Sequence, residues 1–239
     1  MTNPALINHK VVSPDEWLDA RKQFLIQEKE FTQLRDQLSQ KRRALPWVKV
    51  EKRYVFEGPD GKTTLADLFE DRSQLVVYHF MFGPEEGPCR ACSFWADSFN
   101  SIGIHLNHRD VTMVAVSRSP SDQLEAFKQR MAWSFKWFSS GDNDFNHDYH
   151  VSFTAEELKG KVEYNYSDRE IESYDLPGVS VFYQDGDGDV YHTYSAYARG
   201  IDILNTAYNY LDLVPRGRDE DELEWAMAWV RYHDKYDQP

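Results

Sequence analysis

The sequence predicts an α/β domain, and three observations carry that prediction. Leu75 to Phe82 is a continuous apolar run, and Val111 to Val116 is a second, as expected of strands buried on both faces. Each run leads into a helical pattern, Arg90 to about Leu106 after the first and Ser121 to about Trp133 after the second. Further on, Val179 to Tyr183 and Val190 to Tyr194 flank the turn Asp185-Gly186-Asp187-Gly188-Asp189, which reads as a hairpin. Strands that alternate with helices and end in a hairpin argue for a layered α/β architecture.

The elements follow in order. Ser13, Pro14 and Glu16 form a capping box with proline at the first helical position. Trp17, Phe24, Phe31, Leu38 and Leu45 then recur every seventh residue, widened by Leu18, Leu25 and Leu34. Lys41, Arg42 and Arg43 suit the negative pole of this helix, and Pro46 stops it. A single stripe leaves two readings open, an arm packed on its own domain or a homodimer contact. Val48, Val50, Tyr54 and Phe56 surround a strand-like stretch that turns at Gly58-Pro59-Asp60-Gly61-Lys62. Phe135 to Ser139 reads as a further strand, and residues 141–176 as a polar, irregular insertion. A helix is expected from about Ile201 to Leu211 and another over Asp219 to Tyr236. The resulting division is a helical arm (1–46), a central domain (47–213) and a C-terminal helical tail (214–239).

Composition bounds the function. The 239 residues carry a net charge of −13, which excludes a basic nucleic-acid footprint and argues against anionic membrane surfaces. Aromatic residues at 15% argue against disorder. The longest apolar run is too short to cross a bilayer, and Met1 to Pro14 lacks the pattern of a secretory signal, so a cytoplasmic address is expected.

The only two cysteines, Cys89 and Cys92, rule out a disulfide scaffold. They sit in Pro88-Cys89-Arg90-Ala91-Cys92, after a buried strand and at the mouth of a helix. Free N–H groups there stabilise a thiolate, the species that attacks in thiol–disulfide exchange. Cys89 is therefore expected to attack, partly exposed, with the more buried Cys92 resolving the mixed disulfide one turn along. Arg90 favours the thiolate, whereas Glu85 and Glu86 oppose it. Half of a zinc site completed by histidines and a pair of inert core cysteines are the competing readings. His147 and His150 name no third metal ligand, and Asp185, Asp187 and Asp189 lack the glycine and glutamate of a calcium loop. No phosphate loop, dinucleotide fingerprint or serine-nucleophile elbow is visible.

At these residues the chain resembles the thioredoxin superfamily, with the apolar run, the helix-opening cysteine pair and Leu176-Pro177-Gly178-Val179 in the expected order. The leading hairpin is similar to that of peroxiredoxins. Tyr78-His79-Phe80-Met81-Phe82-Gly83-Pro84, Cys92-Ser93-Phe94-Trp95-Ala96-Asp97 and Tyr197-Ala198-Arg199-Gly200 resemble a bacterial family of uncharacterised, predicted dithiol–disulfide oxidoreductases. The resemblance implies a thioredoxin-like fold, a central mixed sheet flanked by helices. It implies Cys89 and Cys92 as the catalytic pair, and Pro177 beside them behind a cis peptide bond. It also places His79 where the superfamily keeps a group that takes the proton from Cys92. Arg90-Ala91 departs from the thioredoxin Gly-Pro, and no tryptophan precedes Cys89.

The function this implies is a thiol–disulfide oxidoreductase that needs no bound cofactor or metal, since electrons travel in the sulfur atoms. Its partners would be a protein or small-molecule thiol or disulfide and an external thiol reductant or reductase, with neither nucleic acid nor membrane. A thiol peroxidase is an alternative, disfavoured because Glu86 stands where a threonine or serine would precede the nucleophile. A non-enzymatic binding module of the same fold is the other.

Overall fold

The computed structural model describes residues 9–84 and 86–236, so residues 1–8, which bear on the signal reading, and Glu85 lie outside it. Helix α1 spans Pro14–Arg43, and the predicted capping box closes at its start. The Glu16 N–H donates to Ser13 Oγ at 3.3 Å, and the Ser13 N–H donates to the Glu16 carboxylate at 3.0 Å. Such caps contribute about 1 kcal/mol. No residue of α1 is buried, which removes the reading of an arm packed on its own domain.

An eight-stranded sheet organises the rest. It comprises β1 (Val48–Lys49), β2 (Val55–Gly58), β3 (Gly61–Thr64), β4 (Gln74–His79), β5 (Val111–Ser117), β6 (Lys136–Ser139), β9 (Gly178–Gln184) and β10 (Val190–Tyr197). A separate hairpin, β7 (Lys161–Tyr164) and β8 (Ser167–Glu170), stands in the insertion. The spatial order is β1-β10-β9-β4-β5-β6-β2-β3. The neighbours β4, β5 and β6 run parallel, while β9 pairs antiparallel with both β4 and β10. A parallel β-helix-β unit flanked by an antiparallel hairpin on the first strand is the thioredoxin-like arrangement. Helices α2 (Arg90–Ala96), α3 (Phe99–Asn107) and α4 (Ser121–Arg130) connect the parallel strands. Gly61 turns the leading hairpin at φ +106°, a conformation that suits a residue without Cβ.

Strand β4 divides the core by its two-residue period. Tyr78 joins Phe80, Trp95, Phe99 and Trp137 in one buried cluster. Leu75 and Val77 point to the other face, toward Phe56, Phe145 and Phe182.

Four expectations need correction. The helix expected from Arg90 to Leu106 breaks at Asp97 and Ser98, where Ser98 Oγ donates to the Trp95 carbonyl and Asp97 accepts from Trp133 Nε1. Ile201 to Leu211 divides into a 3₁₀ segment, Ala198–Leu204, and helix α6 (Thr206–Leu211), because Asn205 caps the Tyr208 N–H at 2.9 Å. The insertion is not irregular throughout: besides β7 and β8 it holds a short helix α5 (Phe145–Asp148). Most plainly, the C-terminal tail is not a helix. Its turns end in a 3₁₀ segment, His233–Lys235, and Glu220 gathers three donors, Tyr208 Oη, the Met227 N–H and Trp229 Nε1. Those long-range bonds, with Val230 fully buried, override the local helical pattern. Among the described residues, no helix is long and apolar enough to cross a membrane.

Candidate active site

The loop after β4 returns to Cys89, whose N–H donates to the Met81 carbonyl at 3.0 Å. Cys89 is the N-cap of α2, with extended backbone (φ −71°, ψ 128°), and its sulfur accepts the Cys92 N–H at 3.4 Å. Both cysteines are free thiols, Cys89 half-buried and Cys92 1% exposed. One helical turn separates them, the spacing at which side chains become neighbours.

The environment drives their acidities apart. A hydrogen bond from the Cys92 thiol, helped by the N–H groups of Cys92 and Ala91 and the charge of Arg90, lowers Cys89 to about 7. Burial pushes Cys92 well above the ordinary thiol value, and the neighbouring Cys89 adds to the rise. Near neutral pH Cys89 is therefore partly thiolate while Cys92 stays a buried thiol.

His79 does not share this site. Strand alternation turns its ring to the opposite face from Tyr78, where it stacks on Phe145 and Tyr149 at centroid distances of 5.5 and 6.0 Å. Nδ1 lies 3.1 Å from Asn146 Oδ1 and Nε2 lies 2.8 Å from Ser180 Oγ, so both nitrogens are taken. Burial lowers its pKa to about 4. The proton-acceptor role expected of His79 is corrected accordingly.

Tyr78 is the polar side chain that the same strand sends toward Cys92. Its hydroxyl is fully buried and closes no hydrogen bond among the described residues. Burial first, and then the adjacent Cys92, raise its pKa well above 10. No sequence signal singled it out, although its parity relative to His79 could have.

Pro177 leads β9 at the sheet end where β4 finishes, since Gly178 pairs with His79. The expected cis bond is absent: no described peptide is cis. The insertion holds this segment extended from two sides, with the Leu176 N–H on the Val151 carbonyl at 2.8 Å and Tyr164 Oη on the Pro177 carbonyl at 2.8 Å.

Two further supports were not legible in the sequence. Arg118 makes a bidentate pair with buried Asp175, at 2.8 and 3.1 Å, and Ser152 donates to the same carboxylate at 2.5 Å. Breaking a buried pair of this kind costs about 3–5 kcal/mol. Nearby, Ser173 Oγ donates to Glu86 at 2.9 Å, tying the thiol loop to the insertion. From the other side the C-terminal segment covers the site. Tyr232 donates to the Pro88 carbonyl, its ring lies against Phe127 at 5.4 Å, and Trp229 meets Phe94 at 5.4 Å. A cleft of about 790 Å³ lies elsewhere, between the foot of α1 and β10.

No curated protein matches the chain. Among solved structures, a bacterioferritin comigratory protein of Xanthomonas campestris, described with alkyl peroxide reduction activity, superposes with TM-score 0.46 at 12% identity, covering 64% of this chain and 86% of its own. The peroxidoxin BcpB of Mycobacterium tuberculosis gives 0.45 at 12%, covering 67% and 93%. The mitochondrial 2-cys peroxiredoxin of Plasmodium falciparum gives 0.42 at 12%, covering 70% and 92%. Likenesses of this size bear on neither substrate nor chemistry. A family model spans residues 6–236, nearly the full length, and by that match the chain belongs to the family described as bacterial protein of unknown function (DUF899).

Proposed function

We propose that the chain is a thiol–disulfide oxidoreductase that exchanges electrons through Cys89 and Cys92. The observation that carries the reading is the division of acidity between two neighbouring thiols, one lowered at a helix N-cap and one raised by burial. In the reducing direction the Cys89 thiolate attacks one sulfur of a substrate disulfide, forming a mixed disulfide and expelling the other sulfur as a thiolate. Cys92 then releases its proton to solvent or to that thiolate and attacks Cys89 Sγ. The substrate leaves with two electrons, and the protein keeps a Cys89–Cys92 disulfide for an external thiol to reduce. The Tyr232 segment, which reaches Pro88, borders the path of the incoming disulfide.

Tyr78 takes the place in this scheme that the sequence offered to His79. Its hydroxyl stays protonated here and donates a hydrogen bond to the Cys92 thiolate as it forms. A hydrogen bond to a charged group contributes about 1.5–3 kcal/mol. Tyr78→Phe is therefore expected to leave the first attack unchanged and to slow resolution by roughly tenfold or more. Quenched reactions resolved on non-reducing gels measure both steps. Equal slowing of both would show that the substitution disturbs the whole site rather than Cys92.

The direct test of the function is reduction of an insulin-type disulfide, with thiol titration before and after a reductant. The parent protein should turn over and interchange two thiols for one disulfide. A Cys89→Ser/Cys92→Ser protein should do neither. A parent protein that binds but never turns over would make it a binding module, and turnover on hydroperoxide alone would make it a thiol peroxidase. The potential of the couple sets direction: near about −270 mV it acts as a reductant, near about −120 mV as an oxidant.

A further inference from the structure

We infer that α1 is the interface of a homodimer, in which it pairs with α1 of a second copy running parallel. The helix has 30 residues, a length of about 45 Å, and none of them is buried. Its seventh-residue stripe lies open to solvent, with Trp17 59%, Phe24 54% and Phe31 65% exposed, and Leu34 and Leu38 similarly bare. Contiguous exposed apolar surface on this scale marks an interaction site in a soluble protein. Seven-residue recurrence is the repeat that seats one helix against another along its length.

Charge selects both the occupant and its direction. With Trp17, Phe24, Phe31 and Leu38 as the seam, Glu16 and Glu30 flank it on one side and Arg21, Arg35 and Arg42 on the other. A parallel pair sets Glu16 beside Arg21 of the second copy and Glu30 beside its Arg35. An antiparallel pair sets the basic side of one helix against the basic side of the other. Oppositely charged flanks are what fix partner and orientation in paired helices. The foot of α1 supports the same occupant. Leu45, the last residue of the stripe, opens with Pro46 and Tyr194 into the 790 Å³ cleft. Parallel pairing brings the two feet, each with its Leu45 and its cleft, side by side.

The inference is independent of the thiol chemistry, and its test uses the full chain. Light scattering after gel filtration at micromolar concentration should give twice 28.1 kDa. Phe24→Glu/Phe31→Glu places charge on two exposed positions of the stripe, so it should return the mass to one chain with an unchanged circular dichroism spectrum. Glu30→Arg should weaken the dimer by about tenfold, and adding Arg35→Glu to the same chain should restore it. A monomeric parent protein overturns the inference. So does a dimer indifferent to Phe24→Glu/Phe31→Glu, and a dimer indifferent to the charge exchange overturns the parallel direction. A stripe that binds anionic vesicles while the protein remains one chain overturns it in favour of a membrane surface.

Discussion

Cys92→Ser is expected to accumulate as a mixed disulfide with a model substrate, whereas Cys89→Ser traps nothing. The N-cap sulfur accepts the Cys92 N–H, and its pKa is lowered to about 7, so about half of it is thiolate at neutral pH. The buried partner, pushed well above the ordinary thiol value, waits until the first bond has formed. Serine at 92 preserves a hydroxyl donor toward Cys89 but cannot attack it, so the intermediate persists. Serine at 89 removes the nucleophile, and turnover falls on the order of a thousandfold or more. Because the thiolate attacks, trapping by Cys92→Ser should rise with pH through a midpoint near about 7 and level off about one unit higher. Intact-mass measurement across pH 5 to 9, chosen to bracket the thiol's ionisation, reads the yield and the rate together. Trapping by Cys89→Ser alone would reverse the two roles.

The second large effect concerns His79 and stability. Its ring is 1% exposed, and burial lowers its pKa from 6.5 to about 4. The folded protein thus keeps His79 neutral while the unfolded chain binds a proton below 6.5. This contribution is complete above pH 6.5 and is lost as pH falls toward 4, amounting to about 3 kcal/mol across that window. Urea midpoints measured from pH 7 to pH 4 should fall more steeply for the parent protein than for His79→Gln, whose amide does not titrate. Parallel slopes would place His79 outside the neutral, buried state. The difference between the two proteins removes the contribution of the carboxylates, which both share.

These two residues show what the sequence conveyed and where it stopped. The apolar run, the hairpin at Gly58-Pro59-Asp60-Gly61, the capping box and the helix-mouth cysteines are local patterns, each written within a few consecutive residues, and the structure contains them. The face to which a central strand turns each side chain is also local, yet the resemblance assigned His79 by position rather than by parity. Ser180, Asn146 and Phe145, which claim its ring, come from segments far along the chain. The C-terminal segment failed for the same reason on a larger scale. Leu223, Met227 and Val230 have helical spacing, but Glu220 and its three donors decide the path, and no local window contains Tyr208 with Trp229. The insertion read as irregular because its hairpin has one exposed strand, β8, with no apolar alternation to announce it.

The cover formed by Tyr232 has a consequence for synthesis. It reaches the Pro88 carbonyl across 144 residues of sequence. At about 5–20 residues per second, a ribosome needs roughly 7–30 s to make that interval. During that time the nascent chain carries Cys89 and Cys92 without the aromatic side chains that later enclose them. The thiol pair is most open to stray oxidants and foreign disulfides before the protein is finished, and its final shelter arrives with the last turns of the chain that the structure describes.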